Sequence, residues 1–120
     1  MTTSATSPAP APVIEPKTRD EYEKALAEAK GPVIVEFVQE GCGACDPTAL
    51  DKLATDCGTK ATIMRVECGS GFGSDVADEL GVDGTPTALM AESGAKFLAK
   101  ETVEVDPEST SLRRKLKCSR

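Results

Sequence analysis

Residues Val33-Ile34-Val35-Glu36-Phe37-Val38 form a nearly continuous apolar run of β-branched and aromatic types, and this run constrains the fold more than any other segment. A strand that alternates has one wet face, whereas a strand with almost no polar residues has to be covered on both faces. Covering both faces takes helices, and helical patterns flank the run on either side. Before it, Thr18 and Glu21 have capping-box spacing, followed by Tyr22, Ala25, Leu26 and Ala29 on one helical face until Gly31-Pro32. After it, Leu50, Leu53, Ala54 and Cys57 recur at helical spacing until Gly58.

The pattern then repeats. Ala61 to Val66 reads as a second buried strand, and the glycine-rich stretch 69–73 reads as a flexible loop. Ser74 is expected to cap a short helix with Val76, Ala77 and Leu80 inward, closed by Gly81. Thr85 to Met90 reads as an edge strand entered at Pro86, and Glu92-Ser93-Gly94 as a turn into a final strand over Phe97-Leu98-Ala99. A last helix, from about Glu108 to Cys118, turns Leu112 and Leu116 inward. A short strand is expected at Val13-Ile14, and residues 1–12, all Met, Thr, Ser, Ala and Pro, read as a disordered tail before a domain at 13–120. Crossover helices imply parallel pairing and the last turn antiparallel pairing. The expected fold class is therefore α/β, a central mixed sheet flanked by helices on both faces.

Chemistry concentrates directly after the first apolar run, at Cys42-Gly43-Ala44-Cys45. Two thiols three positions apart can close a disulfide across one turn, and the pair is expected to open the next helix. A redox couple is the favoured reading, with a structural disulfide or half of a metal site as alternatives. Metal would need further ligands, and Cys57, Cys68 and Cys118 form no second Cys-x-x-Cys. The chain has no histidine, which removes Cys-His catalysis and histidine-containing zinc sites. Five cysteines do not read as a disulfide framework. A net charge of -6 argues against nonspecific binding to nucleic acid or an acidic membrane. No secretory signal is read at the N-terminus, so a cytoplasmic protein is expected; a monomer is expected as well.

These features resemble the thioredoxin family over roughly residues 13–118. Val33 to Cys45 is similar to its strand, acidic residue, aromatic, loop and Cys-x-x-Cys; Gly81 to Thr87 is similar to its Gly-Val pair leading to a cis-proline. The resemblance implies a thiol–disulfide oxidoreductase, with Cys42 the exposed nucleophile and Cys45 the buried resolving thiol. It implies that Glu36 exchanges protons with Cys45 and has Arg65 as its charged neighbour. Gly41, Gly43, Ala44, Thr85 and Pro86 would meet the substrate. No cofactor and no metal is implied. The implied partners are a disulfide-containing protein and a flavin-dependent thioredoxin reductase or another dithiol donor. A non-catalytic binding module and a disulfide oxidase or isomerase are the rival readings.

Departures from the family pattern are Gly41 in place of tryptophan, Ala44 in place of proline, and an early Pro47. Cys57 reads as a buried small apolar residue. In the implied fold it ends a helix on the same face as Cys118, so a bridge between them is the minor alternative. Cys68 reads as a loop cysteine, with a third redox thiol as the alternative. Phe72 reads as an exposed loop aromatic, with a substrate-contacting surface as the alternative.

Overall fold

The computed structural model describes residues 13–105, 110–116 and 118. The tail at 1–12 lies outside them, as do residues 106–109 of the last connection. Helix α1 spans Arg19–Glu28 and starts as its sequence dictates. Thr18 accepts the Glu21 N–H at 3.1 Å, and Glu21 reaches back to the Lys17 N–H at 2.7 Å. Strand β1 (Val33–Val38) leads to α2 (Pro47–Cys57), β2 (Thr62–Glu67), α3 (Gly71–Leu80), β3 (Thr87–Ala91), β4 (Glu101–Val103) and α4 (Thr110–Lys115).

The sheet order is β2-β1-β3-β4, with β1 and β2 parallel and the other pairs antiparallel. Because β1 is interior, both of its faces are covered. Val33, Val35 and Phe37 pack with Tyr22 of α1 and Val76 and Ala77 of α3. Ile34 packs on the opposite face with Leu50, Leu53 and Ala54 of α2, Leu112 of α4 and Leu116 just past it. This is the expected mixed sheet between two helix layers.

Four local expectations change. The strand foreseen at Val13-Ile14 is a single parallel bridge from Ile14 to Met64 at the β2 edge. Stretch 69–73 is no flexible loop, because α3 begins at Gly71 with Ser70 at its N-cap position, ahead of Ser74. A side chain at Gly73 would meet the Glu67 carbonyl oxygen at 2.0 Å, so that glycine lets α3 pack onto the end of β2. Residues Gly94–Ala99 form a 3-10 helix instead of a strand, and β4 comes later. Here tertiary packing overrides the local pattern: Gly94 lies against the Leu26 backbone, where a Cβ would meet its oxygen at 1.8 Å, and Phe97 is buried among the α1 and α3 side chains. Finally, β3 is interior rather than an edge strand. Pro86 is tolerated because it stands just before the strand, so no ladder N–H is lost.

Candidate redox site

The site is built where β1 runs out. The last β1 carbonyl, on Val38, accepts the Cys68 N–H at 2.8 Å, and the chain then turns through Gln39-Glu40-Gly41. Cys42 donates its N–H to the Gln39 oxygen at 3.1 Å, and Cys45 donates to the Cys42 oxygen at 3.2 Å. These two tight turns bring the Cys42 and Cys45 Cα atoms to 5.4 Å, and the sulfurs are joined in a disulfide of 2.05 Å. Gly41 adopts φ 84°, a region that a tryptophan would enter only with strain, which accounts for glycine at this departure from the family pattern.

The cysteines do not open a helix. α2 starts at Pro47, with Asp46 as its N-cap accepting the Thr48 N–H at 2.9 Å. Proline favours the first helical position and disfavours α geometry in the residue before it, so the helix cannot extend back through Cys45. The positive end of the α2 dipole therefore faces the Asp46 carboxylate first. Nor is Cys45 deeply buried. Both cysteines are half-buried, while Gly41, Gly43 and Ala44 are exposed.

An open cleft of about 950 Å³ holds the disulfide, lined among others by Gly41, Cys42, Gly43, Cys45, Pro47, Arg65, Glu67, Gly69 and Ser70. Ala44, Thr85 and Pro86 are not among its lining residues. The antiparallel register nevertheless brings Thr87 opposite Phe37, so the cis Thr85-Pro86 peptide lies at the same end of the sheet as the disulfide. Thr85 is half-buried and Pro86 exposed, and Thr87 Oγ1 donates to the Gly84 oxygen at 2.6 Å to close the preceding turn.

Among the described residues Glu36 is the one charged side chain that is buried, at 5 % exposure, and it lies on the α2 side of β1 next to Arg65 in the parallel register. Its Oε1 has no hydrogen-bond partner among the described residues. Burial pushes its carboxyl above the ordinary value; Arg65 offsets part of the rise, and Asp46 and Asp51 add to it. Arg65 is the expected neighbour, but both of its Nη groups are bonded elsewhere, while its buried Nε has no hydrogen-bond partner among the described residues. Nη1 pairs with Glu15 at 2.6 Å, and Nη2 pairs with Asp51 at 3.0 Å and the Pro47 oxygen at 3.2 Å. Arg65 thus ties the edge segment to the start of α2, and acts on Glu36 only through its field.

The other cysteines divide. Cys68 is free and half-buried against the α1/α3 core, not itself among the cleft-lining residues, and its thiol is pushed up by burial and by the Glu67 charge. Cys57 and Cys118 are bonded to each other, both 2 % exposed, so the minor alternative for this pair is the one observed. Helical spacing reads Cys57 as apolar core, which is correct for its burial and silent about its partner. Phe72 is neither exposed nor in the cleft. It packs on the α1/α3 core with its ring centroid 6.1 Å from that of Tyr22.

Glu67 was not foreseen. Its carboxylate accepts the Glu40 N–H at 3.0 Å and the Gly69 N–H at 3.1 Å. The available signal was an acidic residue two positions before a glycine at the end of a strand, a spacing suited to such a local bond.

A family profile described as Thioredoxin matches residues 13–117. A thioredoxin of Rhodospirillum rubrum is 32% identical over 75 residues, 61% of this chain and 70% of that protein. One from Pseudomonas aeruginosa is 31% identical over 75 residues, 61% of this chain and 68% of its own. Among solved structures, oxidised thioredoxin O2 from Arabidopsis thaliana superposes with a TM-score of 0.71 at 23% identity, over 92% of this chain and 98% of that one. Spinach chloroplast thioredoxin F gives 0.65 at 19% identity, over 92% and 96%. These structures share the fold, and the site holds a disulfide suited to redox chemistry.

Proposed function

The chain belongs to the thioredoxin family, and we propose that it reduces disulfides in other proteins through a reversible Cys42–Cys45 couple. The observation that carries this reading is the half-buried Cys42–Cys45 disulfide opening into a cleft. In the reduced form, a Cys42 thiolate attacks one sulfur of the substrate disulfide, and the other sulfur leaves as a thiolate that takes up a proton. The Cys45 thiolate then attacks the Cys42 sulfur, breaking the mixed disulfide and releasing the second substrate thiol. Two electrons have passed to the substrate, and the chain is left with the bond seen in the structure.

Glu36 is the base for Cys45 in this scheme. A carboxyl lifted by burial is a better match to a thiol than an ordinary one. Gly41, Gly43 and Ala44 leave open backbone around the sulfurs, and Thr85 and Pro86 offer an edge at the same end of the sheet. A flavin-dependent thioredoxin reductase or another dithiol donor restores the pair, in the cytoplasm.

The buried Cys57–Cys118 bridge favours a second reading, because structural disulfides belong mainly to oxidising compartments. There the same couple would run as a disulfide oxidase. Titration in defined thiol–disulfide buffers separates the two. A Cys42–Cys45 couple near about -270 mV supports the reductase, and one above about -200 mV supports the oxidase. A pair that never closes reversibly sinks both and leaves a binding module.

A further inference from the structure

Resting on that redox reading, we propose that Glu67 is a positioning residue for the Cys42–Cys45 couple, a carboxylate latch that holds the loop in the shape that closes the disulfide.

After the Val38–Cys68 hydrogen bond the sheet ladder ends, and Gln39-Glu40-Gly41 carry Cys42 to its place along the cleft. Glu67, at the end of β2, reaches that loop. Oε2 takes the Glu40 N–H at 3.0 Å, and Oε1 takes the Gly69 N–H at 3.1 Å. One side chain therefore ties the loop after β1 to the segment after β2, both of which line the cleft. The next fastening runs from Cys42 N–H to the Gln39 oxygen, one residue before Glu40, so the latch acts one step from the nucleophile.

Gly69 gives a second, independent mark of this arrangement. A Cβ there would stand 3.0 Å from Glu67 Oε2 and 3.4 Å from Gln39 Cγ. The absent side chain leaves room for the very oxygen that holds Glu40. Its φ is not in the left-handed region, so alanine at 69 displaces the carboxylate without backbone strain.

The chemical consequence follows from ring closure. When an external dithiol opens the Cys42–Cys45 bond, two electrons and two protons enter the pair, and the donor closes its own disulfide. Reclosing requires the two sulfurs to meet again. A loop fixed in the closed shape raises their effective concentration and so stabilises the oxidised form. Loosening it shifts the equilibrium toward the dithiol.

The test equilibrates wild type, Glu67→Gln, Gly69→Ala and Glu28→Gln with graded ratios of reduced to oxidised dithiothreitol near neutral pH. Free thiols are alkylated and the Cys42–Cys45 peptide is read by mass, with a denaturant melt confirming that each variant is folded. Glutamine removes the charge and one of the two acceptors. Alanine at 69 moves the carboxylate while keeping its charge. Glu28, near the opposite end of the sheet, controls for net charge alone. The expected result is that Glu67→Gln and Gly69→Ala are each half-reduced at a ratio about three- to tenfold lower than wild type, as the loss of one such hydrogen bond implies, with Glu28→Gln unmoved. Both variants staying within about twofold of wild type overturns the latch. So does a shift in Glu67→Gln alone, which would assign the effect to charge. A wild-type pair that does not open and close reversibly overturns the redox reading itself, and the wild-type titration shows this before any variant is compared.

Discussion

The two disulfides are the same covalent bond in opposite settings. Cys42–Cys45 spans three positions in a turn, half-buried at the mouth of a cleft. Cys57–Cys118 spans 61 positions, is 2 % exposed at both sulfur-bearing residues, and joins the end of α2 to the chain just past α4. The short bridge restrains the unfolded chain far less than the long one and can be reached by a reagent. The long one removes a large loop from the unfolded ensemble and cannot be reached without opening the core. Loop length and burial, rather than the bond, assign one to chemistry and the other to stability. Helix α2 connects them, with its capped start beside the first and its last residue in the second.

The largest effect should come from removing the long bridge. Cys57→Ala with Cys118→Ala is expected to cost about 4 kcal/mol by the loop-closure relation, read as a shift in urea unfolding, with the Cys42–Cys45 titration preserved. Cys42→Ala with Cys45→Ala should cost about 1.5 kcal/mol by the same relation while abolishing disulfide reduction in a turnover assay. If the two losses came out equal, the contrast between the bridges would fail.

The next comparison is between the charged groups at the two ends of α2. Folding raises the carboxyl of Glu36, so the stability it contributes is present below the ordinary glutamate value and is lost as pH climbs through the raised one. Unfolding midpoints taken from about pH 4 to about pH 8 should fall for wild type relative to Glu36→Gln. The same variant should slow resolution of a mixed disulfide by ~10²-fold in stopped-flow traces if Glu36 serves Cys45 as base. At the other end, Arg113 Nη1 meets Asp56 Oδ2 at 3.3 Å, both side chains mostly buried, beside the long bridge. Arg113→Met should cost about 1 kcal/mol in a denaturant melt, less than the bridge it accompanies. Smallest of all is Gly43→Ala. A Cβ there meets nothing within 4 Å, so stability should stay within about 0.5 kcal/mol, and a larger loss would show the redox turn to be more tightly packed than described.

How much of this was readable in advance depends on how local each cause was. β1 and β2 were legible because interior strands leave an almost unbroken apolar signature, and α1 because Thr18 and Glu21 announce its start. The start of α2 was also written in the chain, since Pro47 forbids a helix through Cys45, but the Cys-x-x-Cys resemblance pointed the other way. Phe97 and its neighbours were misread as strand because the burial that holds them is supplied by Leu26 and α1, far off in sequence. Within the site, Cys42, Cys45 and the buried Glu36 were found from pattern. The commitment of Arg65 to Glu15 and Asp51 was hidden, because a sequence pairs charges only by guess. Glu67 was hidden for a different reason. Its partners are backbone N–H groups, which every residue carries and no pattern marks.

The long bridge also sets how the molecule would respond to a mechanical pull. With Cys57 and Cys118 joined, a force applied to the two ends of the chain bypasses everything between them, namely β2, α3, β3, β4 and α4. About 200 Å of chain is thereby withheld from extension. The part ahead of Cys57 can be drawn out, and it contains α1, β1 and the Cys42–Cys45 turn. Stretched in a single-molecule instrument, this protein would surrender its redox centre while the remainder of its sheet stayed locked in a covalent ring.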